Sequence, residues 1–578
     1  MTAVESSAIH DRRWAVLGVL VFSLLVVVMD NTILNVALRT IQADLPATQG
    51  QMQWAVDSYA LVFAALLILS GVLGDRLGRR RLLLIGLVVF GAASVLCAFA
   101  ETPFELIACR GLLGAGAAAV QPQTLSIIQN IFPTAERAKA VGIWAGVSGM
   151  AIALGPIAGG VLLKYFWWGS VFLVNVPVIV VGLVLTWLLV PESRDPRDGG
   201  FDPVGVALSS ASMALVIHGI IEGGNSGEWL QWQSLGTIGA GLALAVLFVR
   251  HERRTAHPMV DLAMFGHRHF AAGVGAIAVV FFTLMGATFY LSYFLQAVRG
   301  YTALATGVAL IAVAAGVMVM STLSPRLSQR WGANIVASGG MTLLAAAMLS
   351  FTLATATMPQ WVLEIQMTAI GIGLGLTMTP ATEAIMSTVS SDRAGAGSAV
   401  NNTMRQLAGA LGVAVLGSVL TMGFHSRFDE ARPAQLAARL DQPAAILNLP
   451  ENALATPQLR EDSGESISGA LEFAQSSVGS LRRREELATG LVPETTIEQQ
   501  RHTAEAELRG YVAAADAAFV HGMRICALIG GLSGLAGAAL AFGFFPRRGR
   551  SARAGARGGL DTARHEPLTV EPLIAKKG

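Results

Sequence analysis

The stretch GVLGDRLGRRRLLLIG (Gly71–Gly86) joins two long apolar segments through a short turn that carries four arginines. The same pattern returns 250 residues further on as LSPRLSQRW (Leu323–Trp331), and both copies contain Leu-x-x-Arg-Leu-x-x-Arg, so that Arg76 corresponds to Arg326. Each copy follows the second apolar segment of a set of six. The repeat therefore predicts two related halves, an architecture typical of secondary transporters that bind their substrate between the halves.

The composition around this repeat is that of a membrane protein. The chain has 578 residues, of which 53% are hydrophobic and only 13% are charged, whereas a soluble protein has about 25% charged residues. The net charge of +2 and the lack of a basic patch give no indication of nucleic-acid binding. Segments of about 20 apolar residues, enough to cross a bilayer, recur along the whole chain. We predict fourteen of them, at 13–38, 52–74, 82–100, 104–128, 138–163, 170–190, 204–222, 234–250, 270–297, 304–323, 335–356, 361–386, 399–423 and 521–546.

Basic residues predict the orientation of these segments. The short loops on the side of Gly71–Gly86 are rich in arginine, whereas those on the other side carry only Arg39, Lys164 and Arg299. Because basic loops remain in the cytoplasm, both termini are predicted to be cytoplasmic. The first apolar segment lacks a cleavage pattern, so we expect it to be a retained helix and not a signal peptide.

These predictions give an all-α membrane protein with four regions. They are an N-terminal six-helix bundle (13–192), two inserted helices (203–250), a C-terminal six-helix bundle (268–546) and a cytoplasmic tail (547–578). The C-terminal bundle includes a long extracellular loop, 424–520, that ends in helix-forming residues. This loop can be a partly helical hairpin or a flexible connection without a specific role.

The quoted stretch resembles the signature loop of the major facilitator superfamily, Gly-x-Leu-x-Asp-Arg-x-Gly-Arg-Arg. The resemblance implies that the loop controls conformational change between the two six-helix bundles of that fold. Asp75 is expected to accept hydrogen bonds at a neighbouring helix N-terminus. The residues that carry the motif are Gly71, Gly74, Asp75, Arg76, Gly78, Arg79 and Arg80.

Further stretches resemble the fourteen-span drug:proton antiporter branch of this superfamily, which includes QacA-type and LfrA-type multidrug exporters. MDNTILNVAL (29–38) is similar to the first-helix motif of the branch, although Arg39 stands where the branch has proline, in a loop that we expect not to affect transport. RGLLGAGAAAV (110–120) resembles the fourth-helix motif, although Leu113 stands where the branch has glutamine, and WAVDSYALVFAALL (54–67) and WGSVFLVNVPV (168–178) match the branch. The fifth-helix antiporter motif, which the resemblance implies seals the protein against ion leak, is carried by Gly142, Gly155, Pro156, Gly159 and Gly160.

Three charged residues lie at similar depths in the outer half of the N-terminal bundle. Asp30, Asp57 and Arg110 are about 12, 8 and 9 Å from the outer ends of their predicted helices, at 1.5 Å per residue. Charges inside a bilayer usually pair or line a water-filled cavity. We therefore predict Asp30 as the main proton-exchange site, Arg110 as the partner that tunes it, and Asp57 as a second titrating or substrate-orienting group. Static packing of Asp30 and Arg110, and an interfacial position for Asp57, remain alternatives.

The predicted substrate cavity lies between the halves and includes polar and aromatic side chains from both. Besides Asp30 and Asp57, its predicted residues are Asn31, Asn35, Trp54, Tyr59, Tyr290, Tyr293, Gln296, Asn401, Asn402, Arg405 and Gln406. Arg405 can instead extend its side chain to the membrane surface. The sequence NNTMRQ (401–406) lacks the carboxylates that some antiseptic exporters of the branch have there, which favours monocationic or neutral amphiphiles over dications.

The predicted function is proton-coupled efflux of cationic or amphiphilic drugs or antibiotics across a bacterial cytoplasmic membrane. An exporter of an endogenous metabolite or lipid, or a nutrient symporter, remains an alternative, although the fifth-helix motif disfavours the symporter. The sequence contains no phosphate-binding Gly-x-x-x-x-Gly-Lys-Ser/Thr loop, which argues against an ATP-driven pump. We expect no enzyme activity, no metal, no cofactor other than the proton gradient, no nucleic-acid partner and a monomer.

Overall fold

The computed structural model is almost entirely helical. It describes residues 3–194, 202–226, 230–255, 258, 262–389, 394–428 and 494–546, with isolated residues between 432 and 478. Most of the predicted outer loop and the whole predicted tail, 547–578, lie outside the described residues. The helices are α1 (Ala3–Asp44), α2 (Gln49–Leu77), α3 (Arg79–Ala98), α4 (Pro103–Ile131), α5 (Thr134–Tyr165), α6 (Ser170–Leu173), α7 (Asn175–Leu189), α8 (Pro203–Ser226), α9 (Trp232–Glu252), α10 (Arg268–Tyr293), α11 (Ala303–Trp331), α12 (Ala333–Ser350), α13 (Gln360–Met386), α14 (Ala394–His425) and α15 (Glu494–Phe544).

Twelve stretches of the described chain are helical, long and apolar enough to cross a membrane, with α6 and α7 together forming one of them. Helices α2 and α5, of 29 and 32 residues, are not among the twelve although both are long enough to span. A multi-span helical membrane protein is thus confirmed. The exact number of fourteen spans and the cytoplasmic position of the termini stay predictions.

The helix starts follow from capping residues in the sequence. Thr48 accepts a hydrogen bond from the backbone N–H of Gln51, whose side chain accepts one from the Thr48 N–H in return, which is a capping box at the start of α2. Thr102 caps α4 by accepting a hydrogen bond from the Glu105 N–H, with proline at the first helical position. Such caps satisfy backbone groups that would otherwise lack partners at the membrane surface.

Two helices continue past their predicted apolar segments, one of them into the helix-forming end of the 424–520 segment. Helix α1 extends to Asp44, so Arg39 lies in a helix and not in a loop. Helix α15 begins at Glu494 and not at residue 521, and its 51 residues make it about 77 Å long. Since a hydrocarbon core is about 30 Å thick, the polar first half of α15 projects beyond the membrane.

Each half of the molecule is a helical bundle, and the halves meet along few helices. In the N-terminal half α2 and α3 pack on α4, and α1 packs on α5; in the C-terminal half α10 packs on α14 and α11 on α13. Between the halves, α5 packs against α11 and α2 against α14. Helices α1, α2 and α5 of the N-terminal half therefore line the junction with α10, α11 and α14 of the C-terminal half.

The inserted helices α8 and α9 pair with each other, and α8 also contacts both halves. Ile217 and Ile221 of α8 pack with Ala60 of α2 and with Ala410 and Ala414 of α14. Helix α8 therefore covers the groove between α2 and α14, which is one of the two main junctions between the halves.

The halves are also joined at the end predicted to face outward. Arg39 of α1 donates from Nη1 to the backbone carbonyl of Gln296 at 2.6 Å, and Gln296 donates from Nε2 to the carbonyl of Val36 at 3.0 Å. Gln296 lies in a π-helical segment, Phe294–Val298, that ends α10. Arg39 thus takes part in the contact between the halves, and the expectation that its position does not affect transport is not supported by this geometry.

Candidate functional site

The centre of the N-terminal half is a buried ion pair between Asp30 and Arg110. Arg110 Nη1 donates to Asp30 Oδ2 at 2.7 Å, and both side chains are 0% exposed. These residues are 80 positions apart in the sequence and lie on α1 and α4. Removing two charges from water costs several kcal/mol per ion, so the pair is stable only because each group compensates the other. The structure brings together the first two predicted coupling residues.

Helix α2 supports the arginine from the other side. Arg110 Nε donates to the backbone carbonyl of Ala55 at 3.1 Å, and its guanidinium carbon lies 4.5 Å from the centre of the Tyr59 ring. The Tyr59 hydroxyl in turn donates to the carbonyl of Val27 at 3.4 Å. A cation over an aromatic face is stabilised without a second charge, so Tyr59 belongs to the ion-pair site as a neighbour of Arg110.

A residue that the sequence analysis did not assign completes the site. Asn175, the first residue of α7, donates from Nδ2 to Asp30 Oδ1 at 2.7 Å, and the same nitrogen lies 3.2 Å from Ser94 Oγ. Asn175 is fully buried. A lone amide inside the apolar run that precedes Pro177 could have indicated it, because a buried amide needs a partner.

Asp57 is buried, as predicted, but it does not join this ion pair. Successive helical residues are rotated by about 100°, which puts Asp57 about 160° from Tyr59 on the opposite face of α2. Tyr59 faces Arg110, whereas Gln53, one turn before Asp57, packs against Gly417 of α14. Neither Asp57 carboxylate oxygen has a hydrogen-bond partner among the described residues. Asp57 is a fully buried carboxyl on the face of α2 that meets the C-terminal half.

Three more predicted cavity residues of the N-terminal half differ in their burial. Asn35 is 4% exposed, whereas Asn31 and Trp54 are half-buried. The Trp54 ring lies 6.2 Å from the ring of His218 on α8. Trp54 therefore faces the inserted helix α8.

The predicted aromatic residues of α10 and the amide of Gln296, which follows α10, differ in their hydrogen bonds. Tyr290 donates to the sulfur of Met348 on α12 at 3.8 Å, so its hydroxyl points into the C-terminal half. Tyr293 is 1% exposed, and Gln296 makes the bond to Val36 described above. Of these three, Gln296 makes a hydrogen bond directly to the N-terminal half.

On α14, the predicted polar residues form a partly accessible group. Asn401 is 7% exposed, and Asn402, Arg405 and Gln406 are half-buried. The guanidinium carbon of Arg405 lies 4.7 Å from the centre of the Phe281 ring on α10. This stacking holds Arg405 against the C-terminal bundle and does not match an arginine extended to the membrane surface.

The signature loop is held by the end of α7. Gly78 adopts φ +116°, and a Cβ at this position would meet the Glu192 carboxylate, so a residue with a side chain is doubly disfavoured there. Glu192 Oε1 accepts a hydrogen bond from the Arg80 N–H at 3.1 Å, and the Arg79 N–H donates to the carbonyl of Ser193 at 3.0 Å. The structure thus places Gly78, Arg79 and Arg80 in one turn.

The other motif residues of this loop differ in how closely their surroundings pack against them. A Cβ on Gly74 would overlap the side chain of Gln123 on α4, whereas Gly71 has open space. Arg76 is exposed. The side chain of Asp75 lies outside the described residues, so its expected hydrogen bonds at a helix N-terminus stay a prediction.

The fifth-helix motif gives α5 two closely packed faces. A Cβ on Gly155 would overlap Thr32 Oγ1, and one on Gly159 would lie 2.9 Å from Ile33 Cγ1, so this face packs against α1. Gly160 faces α11, where a Cβ would lie 2.5 Å from the Cα of Leu304. Pro156 lies inside α5. The surroundings of Gly142 are outside the described residues.

Comparison with known proteins places the chain in a family. Residues 20–413 match the family model described as Major Facilitator Superfamily. The chain is 35% identical over 464 residues to "Multidrug efflux pump LfrA" of Mycolicibacterium smegmatis, covering 80% of this chain and 88% of LfrA. It is 33% identical to "Methyl viologen resistance protein SmvA" of Salmonella typhimurium (74% and 87% covered) and 34% identical to "Puromycin resistance protein pur8" of Streptomyces alboniger (77% and 88% covered).

Solved structures support the fold. The chain superimposes on a bacterial homologue of the human lysosomal transporter Spinster, in an inward-facing and unoccupied conformation, with a TM-score of 0.55 at 16% identity (92% of this chain and 98% of that chain). It superimposes on the D-xylose-proton symporter with a TM-score of 0.51 at 15% identity (70% and 90%). The family model covers well over half of the chain, and the curated relatives share a third of its residues over most of their length. This chain is therefore a multi-span membrane transporter of the major facilitator superfamily.

Proposed function

We propose that this protein is a proton-coupled antiporter that exports cationic or amphiphilic drugs or antibiotics across the bacterial cytoplasmic membrane. The relatives named above are an efflux pump and two resistance proteins, and the fifth-helix motif is the one associated with antiport. The observation that carries the proposal is the fully buried Asp30–Arg110 pair.

The chemistry of the exchange follows from what Asp30 can bind. Its two oxygens accept one charged and one neutral hydrogen bond, so the ionised form is held in place. A proton on Asp30 removes the negative charge that forms the ion pair with Arg110. A cationic substrate that approaches the carboxylate competes with the proton for the same negative charge. Transport then requires that substrate and proton bind the inward- and outward-facing states with different affinities.

The contacts between the halves support an alternating-access cycle. The end predicted to face outward is closed by the reciprocal bonds of Arg39 and Gln296 and by the close approach of Gly160 to Leu304. Helices α1 and α5, which make these contacts, also carry Asp30 and the antiporter motif. A change at Asp30 therefore acts on the helices that must separate for outward opening.

Efflux of an endogenous metabolite or lipid is a second candidate, and one observation favours it. The predicted cavity residues that are half-buried on α14 are the neutral Asn402 and Gln406 and the cation Arg405, which do not select for a cationic substrate in the C-terminal half. Export of a neutral or anionic amphiphile would use the same ion pair for proton coupling.

The test measures exchange in everted membrane vesicles. Ethidium is added to vesicles that hold a proton gradient, and release of protons is followed for the native protein, for Asp30→Asn and for Asp516→Asn. Asp516 is a half-buried carboxyl on α15, outside the ion-pair site, and serves as the matched control. We expect coupling to be lost only in Asp30→Asn. Normal exchange by Asp30→Asn, or ATP-dependent transport that persists with an uncoupler, would overturn the proposal.

A further inference from the structure

The environment of Asp30 contains two hydrogen-bond donors of different kinds. Arg110 binds one carboxylate oxygen and Asn175 binds the other, both at 2.7 Å. Asn175 is 0% exposed and lies at the break between α6 and α7, where the helix restarts after Val174. Its own Oδ1 has no hydrogen-bond partner among the described residues. The buried amide therefore bonds Asp30 through its nitrogen, while its oxygen has no partner among the described residues.

We propose that Asn175 is a positioning residue that sets the pH at which Asp30 exchanges its proton; this inference rests on the proposed function of Asp30 as the exchange site. A hydrogen bond to a charged carboxylate favours the ionised form. Asn175 supplies one such bond without adding a charge. Its removal leaves Asp30 Oδ1 without a donor, which favours the protonated form and moves exchange to higher pH.

Asn175 also differs from Arg110 in what it can bind after protonation. A guanidinium has donors only, whereas a side-chain amide has donors and an acceptor oxygen. When Asp30 carries a proton, the amide can turn so that Oδ1 accepts from the new O–H group. Asn175 therefore has a bonding partner for both forms of Asp30, which lets the carboxyl gain and lose its proton while it stays buried.

Other ionisable groups also face Asp30, and they remain in place when Asn175 is changed. They are Arg110 from α4, Tyr59 from α2 and Cys97 from α3, all within electrostatic reach of the carboxylate. Among the described residues of α5, Gly155 and Gly159 face Thr32 and Ile33 of α1, and neither carries a charge. A shift caused by an Asn175 substitution can therefore be assigned to the lost amide.

The experiment uses the full chain in proteoliposomes with ethidium as the probe. Ethidium-driven proton release is measured between pH 5 and pH 9 for the native protein, Asn175→Leu, Asn175→Thr and Ser94→Ala. We expect the pH of half-maximal exchange to rise by about one to two units in Asn175→Leu, the equivalent of one hydrogen bond to a charged group. Asn175→Thr keeps a hydroxyl donor and should shift less. Ser94→Ala removes the second contact of Asn175 but leaves its bond to Asp30, so its midpoint should equal that of the native protein.

Each outcome decides the proposal. An unchanged midpoint in Asn175→Leu, or an equal shift in Ser94→Ala, would overturn it, because the effect would then be absent or merely one of packing. If Asn175→Leu does not assemble, Asn175→Ala, which also lacks a donor and adds no bulk, carries the test, and the absence of an upward shift in that variant overturns the inference. Asp30→Asn separates the two proposals. Continued ethidium-driven proton release in that variant would overturn the proposed function itself. Lost coupling in Asp30→Asn, together with an unchanged pH midpoint in Asn175→Leu, would overturn only the role of Asn175.

Discussion

Replacing Arg110 by methionine should destabilise the protein through the carboxylate that it leaves behind. Asp30 and Arg110 are both 0% exposed and 2.7 Å apart. Breaking a buried ion pair by removing one partner costs about 3–5 kcal/mol, since the remaining charge stays buried without compensation. Methionine is unbranched and fills irregular space, so the lost charge and not a cavity dominates this cost.

The pH dependence of this penalty distinguishes a charge effect from a packing effect. At pH 7.5 the free energy of unfolding of Arg110→Met should fall by about 3–5 kcal/mol. At pH 5 the loss should be smaller, since protons are more abundant and neutralise the unpaired Asp30. The double variant Asp30→Asn/Arg110→Met removes both charges and should recover most of the stability, because replacing both members of a buried pair is often neutral.

Chemical unfolding of the purified protein in detergent, followed by tryptophan fluorescence at both pH values, measures these differences. Glu364→Gln, at an exposed glutamate of α13, is the matched control for loss of one charge and should be close to neutral. A loss in Arg110→Met that is the same at both pH values, or a double variant as unstable as the single one, would refute the charge argument.

Three further predictions address other parts of the molecule. Arg39→Ala removes a charged hydrogen bond between the halves worth about 1.5–3 kcal/mol, so the outward-open population should rise about tenfold or more. Spin-label distances between the outer ends of α5 and α11 measure this population, and unchanged distances would contradict the prediction. Gly155→Ala should lower the free energy of unfolding by about 1–3 kcal/mol through overpacking, whereas the control Gly18→Ala, with open space around it, should be neutral or slightly stabilising; equal effects would exclude the packing explanation. Burial raises the pKa of Asp202, but hydrogen bonds from a backbone N–H and the His251 ring outweigh this effect, so the pKa lies below its usual value. The stability that ionised Asp202 adds to the α8–α9 hairpin is therefore complete above about pH 4. This stability is lost as the pH falls through the lowered pKa. Asp202→Asn should lack this acid-dependent step in protease sensitivity, and an identical pH profile in that variant would count against the assignment.

Prediction from the sequence was most accurate where local patterns decide the outcome. The long apolar spans and the short basic turn around Gly78 depend on residues within a few positions of one another. The pairing of Asp30 with Arg110 was also predictable, because two opposite charges at one depth of a membrane have few other partners.

The depth of Asp57 was predictable from the sequence, but its neighbours were not, and its role as a second titrating or substrate-orienting group stays a prediction. Its level in α2 is close to that of the ion pair, but its face of the helix is turned away from Arg110. The angle of about 160° between Asp57 and Tyr59 follows from the sequence alone. Which neighbour lies on each face does not, since that depends on the packing of α4 on one side of α2 and α14 on the other.

The sequence alone was enough to predict a multi-span helical protein of two related halves, with a charged residue where the first span should be apolar and a basic turn after the second. Composition, repeat and helical period suffice for these conclusions because they depend on the bilayer as solvent. Only the tertiary structure decided that Asn175 binds the second oxygen of Asp30 and that Arg39 joins the halves. These residues are 145 and 257 positions from their partners, and contacts at such separations arise from how whole helices pack, which no local pattern encodes.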